Sequence, residues 1–164
     1  MKFYLKIAIF TGIVLIMLGT LNTYGKDKNP ANGFYLIDDS ETKVLCAFEL
    51  KLNNREVFYC LPPKPLIAES EFSSITNIHY DNQKDLYLLM IKLTPLGTEV
   101  LKKTIAALEG RSIGLVVKRK LVTIIRIRPV RHTDVVMIGE GLTKRQLQWI
   151  RAEITRNIKL AKKE

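Results

Sequence analysis

Histidine and cysteine are scarce in this chain, with two of each among 164 residues, and there is a single tryptophan. His79 and His132 stand far apart, and neither Cys46 nor Cys60 has a Cys or His neighbour at zinc spacing, so no metal centre is expected. None of Ser40, Ser70, Ser73, Ser74 or Ser112 sits in the glycine frame of a nucleophile elbow. Gly139-Glu140-Gly141 is too short to cradle a phosphate. The acid pairs Asp38/Asp39 and Glu69/Glu71 read as solvated loops rather than glycosidase carboxylates. The expectation is a protein that is not an enzyme and holds no cofactor.

Long apolar runs are nearly absent too. Only the N-terminal stretch is apolar enough to enter a bilayer, which excludes a multi-span membrane protein. No period of solenoid length recurs. With 47% apolar residues the chain is not a disordered one, and its length suits one domain with a short appendage.

What is abundant is positive charge. The formal net charge is +10, from 26 Lys and Arg against 16 Asp and Glu. Residues 26–85 carry 7 basic and 10 acidic side chains, whereas 86–164 carry 17 and 6. A basic half joined to a slightly acidic one suggests either an anionic partner for the basic half or a solvated Lys-rich surface.

Residues 1–25 read as an address. Lys2 and Lys6 precede the apolar run Ile7–Leu21, and Thr23 and Gly25 are small enough for a cleavage site after Gly25. The alternative is an uncleaved anchor over residues 3–21. Both readings put Lys26 onward outside the cytoplasm, in the periplasm or at the outer face of the cytoplasmic membrane.

Residues 26–33 form a polar linker, and residues 34–164 form the domain. Phe34–Ile37 begins an extended segment. Val44–Leu52 and Arg55–Leu61 read as a hairpin turning on Asn53-Asn54. That register faces Cys46 with Leu61, so the sulfurs lie on opposite faces as buried thiols. A three-residue loop would instead oppose them, with a disulfide as the alternative.

Leu61-Pro62-Pro63-Lys64-Pro65 is a stiff connector, and Ala68–Ser74 reads as a helical turn. Ile75–Tyr80 and Leu86–Leu93 form a second antiparallel pair. Thr94 caps a helix with Pro95 at its first position, an apolar stripe of Leu96, Val100, Leu101, Ile105 and Leu108, and a stop at Gly110. Ser112–Val117 and Leu121–Ile127 are strands around Lys118–Lys120, and Asp134–Ile138 is the last strand. Thr143 and Gln146 form a capping box for a helix that buries Leu147, Ile150, Ile154 and Ile158. The fold class is α+β: an antiparallel sheet with two main helices packed on it.

From Cys60 to Ile158 these elements resemble the first periplasmic head domain of the SecD and SecDF protein-export subunits. The resemblance is carried by the proline connector, Gly97, Gly110-Arg111, the strand pair and the Thr143 cap. It implies a head-domain fold that contacts exported polypeptides or translocase components. Lys118 and Arg119 occupy the places where that family turns on Asp-Gly, and Arg131-His132-Thr133 lacks its double glycine. The membrane-helix bundle that couples ion flow to head movement has no counterpart in a chain with at most one such helix.

The candidate contact residues are Lys118, Arg119 and Lys120 at the hairpin tip, Arg126 and Arg128 alternating to one strand face, Arg131 beyond them, and Trp149. They form a ledge for client polypeptide or, alternatively, for anionic lipid or glycan, in which case the chain is an envelope adaptor. Nucleic acid is not expected, because stacking aromatics are scarce. The strand Asp134–Ile138, near Trp149, is a candidate edge for an extended peptide.

Overall fold

The computed structural model describes residues 29–37, 46–52, 57–128 and 134–161. The expected leader, Pro129, Arg131 and His132 lie outside the described residues. The elements are β1 (Gly33–Ile37), β2 (Phe48–Lys51), β3 (Phe58–Leu61), β4 (Ile67–Ala68), a 3-10 turn (Glu69–Glu71), β5 (Phe72–Ile75), β6 (His79–Asp81), β7 (Leu86–Leu93), α1 (Pro95–Ala107), β8 (Ser112–Val117), β9 (Lys120–Arg126), β10 (Val135–Ile138) and α2 (Lys144–Ala161). The expected order of strand, helix, hairpin, strand and helix holds, and the fold is α+β.

The strands divide into more than the one expected sheet. An antiparallel sheet runs β4-β1-β8-β9, a second runs β10-β7-β5 with β6 also on β7, and β2-β3 form a separate hairpin. Phe34–Ile37 and Ile113–Val117 are apolar on both faces, so the first sheet needs a cover on each side. On one face Phe34, Ile113, Leu115 and Val117 join Leu89 and Ile91 of the second sheet and Leu101, Leu147, Ile150 and Ile154 of the helices in a common core. On the other face Tyr35, Ile37, Val116 and Leu121 pack with Leu61 under the half-buried Phe48 and Leu50 of the hairpin.

Three local readings need correction. The hairpin pairs Phe48 with Leu61 and Glu49 with Cys60, so its register is shifted from the one a two-residue turn dictates. Cys46 precedes the first strand residue, where the alternation of faces no longer constrains it, and it forms a disulfide with Cys60 at a Cα–Cα distance of 5.2 Å. The segment expected as a helical turn is a single 3-10 turn followed at once by β5. The strand expected over Ile75–Tyr80 is broken at 76–78, where the Thr76 hydroxyl accepts the Met90 N–H at 3.1 Å.

Both helices are capped as expected. The Thr94 hydroxyl accepts the Gly97 N–H at 3.2 Å, and Thr143 and Gln146 close a reciprocal box at 2.8 and 3.3 Å. Of the stripe expected on α1, Leu101 is buried and Val100, Ile105 and Leu108 pack against the core, and one position fails. Leu96 is exposed, and Gly97, Leu101 and Thr104 are the helix's buried positions. Gly97 lies against the 3-10 turn so closely that a Cβ there would meet the Glu71 Cβ at 3.0 Å.

Candidate functional site

The β8–β9 hairpin turns on two residues, Lys118 and Arg119, both with left-handed backbones at φ 48° and 62°. Hairpin turns of this kind favour Asn-Gly or Asp-Gly, because side chains at positive φ cost about 1 kcal/mol or more each. The cost is offset by contacts to the tip. Asn32 accepts the Lys118 N–H at 2.8 Å, and the Lys118 Nζ meets Glu153 of α2 at 2.8 Å. The Lys120 ammonium lies 6.0 Å from the Trp149 ring centroid, a cation–π contact with a side chain that borders the core. Arg119 is exposed at the apex. Arg119→Gly is expected to stabilise the fold by about 1 kcal/mol, read as a higher urea midpoint with unchanged slope.

Glu153 is a buried carboxylate that periodicity did not single out, since it falls outside the Leu147, Ile150, Ile154 row. The hydrogen bond from Lys118 holds its carboxyl below the ordinary value; burial opposes this, and Arg156 at 3.2 Å reinforces it. A carboxyl lowered in the fold stabilises above its unfolded value, and that contribution is lost as pH falls through the lowered one. The urea midpoints of the wild type and Glu153→Gln are therefore expected to differ most at neutral pH and to converge in acid.

The acid pair Glu69/Glu71, read from sequence as solvated, is structural. Glu69 accepts from Asn32 at 2.9 Å and from Asn157 of α2 at 3.0 Å, while Glu71 bonds the Thr94 hydroxyl at the start of α1. Asn32 thus joins the Lys118 turn to Glu69, and the 3-10 turn gathers β1, the hairpin tip and both helices. Only a pairing across long sequence separations reveals this role, and no local motif announces it.

The candidate cations fall into two groups. Lys118, Arg119 and Lys120 stand at one end of β9 and Arg126 at the other, roughly 20 Å away for six residues of strand. Arg126 donates from Nε to the Gly110 carbonyl at 3.2 Å. Arg126 and Arg128 border a cleft of about 200 Å³ whose other wall is Met137, Ile138, Gly139 and Glu140 after and within β10. Arg131 lies outside the described residues. The structure therefore joins Arg126 with Arg128 and the tip with Trp149, and separates the two sets.

Among the described residues no group of three His, Cys, Asp or Glu side chains is placed to hold a metal ion. His79 is exposed on β6. Among the same residues no helix is long and apolar enough to cross a membrane.

No protein-family model and no curated protein matches the chain. Solved structures do match, among them two of SecDF. One, described as the structure and function of a membrane component SecDF that enhances protein export, superposes with a TM-score of 0.55 at 12% identity, covering 77% of this chain and 62% of that one. The other, a crystal structure of SecDF in a super-membrane-facing form, gives a TM-score of 0.54 at 13% identity, covering 74% of this chain and 18% of that one. The chain thus spans less than two thirds of either. The expected likeness to a SecD-like head holds at the level of fold: an α+β body of antiparallel sheets and two helices, as in the SecDF structures.

Proposed function

We propose that this chain is an exported, non-enzymatic binding module that contacts polypeptides or translocase components outside the cytoplasm. The observation that carries the reading is the superposition on SecDF structures over 77% of the chain. The cationic, apolar leader supports export, and so does the Cys46–Cys60 disulfide, a bond that persists in oxidising compartments. The partner is a polypeptide or a translocase subunit; no cofactor is required.

Affinity capture of the full chain from an envelope extract after mild crosslinking tests this. Recovery of a translocase subunit or of an unfolded exported precursor is expected. Recovery of neither contradicts the proposal. Flotation with anionic liposomes separates it from a lipid-binding adaptor. Binding abolished by Arg126→Glu with Arg128→Glu would transfer the function to the membrane surface.

A further inference from the structure

Two strands that follow each other in the chain lie at the ends of their sheets: β10 has no second strand partner among the described residues, and β9 is bridged on its outer side by Leu52 at Leu121, short of its Ile124–Arg126 end. β9 ends one sheet and β10 ends the other, and they do not pair with each other. On β10 the Asp134 carbonyl accepts the Leu93 N–H at 2.8 Å, so Asp134, Val136 and Ile138 turn their backbone groups towards β7. Val135 and Met137 then turn theirs away from it. Met90, which stands opposite Met137, confirms this: its N–H and carbonyl are both taken by Thr76, on the far side of β7.

The same reasoning applies to β9. Ile127 donates to the Arg111 carbonyl at 2.7 Å, which fixes Ile125 and Thr123 towards β8 and turns the groups of Ile124 and Arg126 outward. Between the edges lies the cleft bordered by Ile124, Arg126, Arg128 and Met137, with Glu140 at its rim. Met137 is 54% exposed. The pocket therefore combines free backbone donors and acceptors at every second residue, exposed apolar surface and two guanidinium groups against one carboxylate.

We infer that this edge of β10 takes an extended polypeptide segment as an added strand, with an acidic side chain of that segment set against Arg126 and Arg128. Main-chain pairing is indifferent to sequence and suits unfolded clients, while the arginines supply the preference. The inference rests on the polypeptide-binding reading above and names where and how the client is held. A segment whose backbone is already paired offers no free strand, so the site favours extended, unpaired segments.

Fluorescence anisotropy of the full chain with a labelled peptide that alternates Val and Thr around central Asp residues tests it. The unmodified peptide is expected to bind, and N-methylation of its central amides to weaken binding by about tenfold or more. Met137→Pro removes an N–H that faces away from β7, a substitution edge strands tolerate, and is expected to cause a similar loss. Arg126→Glu with Arg128→Glu should reverse the preference between Asp and Lys versions of the peptide. Equal binding of the methylated and unmodified peptides overturns the added strand and leaves the broader reading standing. Failure of the wild type to bind any unfolded polypeptide overturns both. Should Met137→Pro fail to fold, the methylated peptide with wild-type protein still decides.

Discussion

Phe34→Ala is expected to lower the free energy of unfolding by about 3–5 kcal/mol, the usual cost of emptying a large aromatic site in a packed core. Phe34 is fully buried on β1, opposite Leu115 of β8 on one side and Ile67 of β4 on the other. Its ring centroid lies 5.5 Å from that of Phe72 on β5, which belongs to the second sheet. The side chain therefore connects both sheets through one contact. Few neighbours can collapse into the space, because those around it are strands fixed by their own ladders. A urea titration should show the midpoint falling with little change in slope. A loss below about 1 kcal/mol would mean that β1 is not an integral strand of the core.

Reduction of the Cys46–Cys60 bond is expected to cost about 3 kcal/mol, because the two residues close a loop of separation 14. The bond secures the β2–β3 hairpin, which covers Tyr35, Ile37 and Val116 on the face opposite the helices. Reduced protein should therefore lose the cover of that second core before it loses the first. Urea midpoints with and without reductant measure the loss, and Cys46→Ser with Cys60→Ser should match the reduced protein. Intact-mass analysis after alkylation is expected to find no free thiol in the native protein. Two alkylated cysteines would contradict the pairing.

The parts of this fold that were legible in the sequence are those set by local chemistry. The Thr94 and Thr143 caps, Pro95, and the row Leu147, Ile150 and Ile154 each follow from spacings of a few residues. The disulfide was legible only as the alternative to two thiols, because alternation of faces governs only residues inside a ladder and Cys46 lies before its first residue. Leu96 misled because Gly97 and Thr104 share the buried face of α1 with Leu101, one through close backbone approach and the other through a hydroxyl bonded to the Val100 carbonyl. A hydrophobicity pattern sees neither.

The candidate site was legible in its residues and not in its arrangement. Arg126 and Arg128 do line one cleft, but Lys118 and Lys120 turn to Glu153 and Trp149 on α2. That division depends on which helix face packs beneath the hairpin tip, a tertiary fact. The strand Asp134–Ile138 was legible as a candidate edge, but which of its backbone groups face outward follows from the partners of Met90, which only the three-dimensional ladder discloses.

The most direct test of the whole account is photocrosslinking in intact cells from a reactive amino acid placed at Met137, with a secretory precursor stalled in transit. Adducts with the unfolded precursor, absent when the photoreactive residue replaces Lys102 on the exposed side of α1, are the predicted result. Contradiction would come from adducts equally strong at both positions, or from none with the precursor at either.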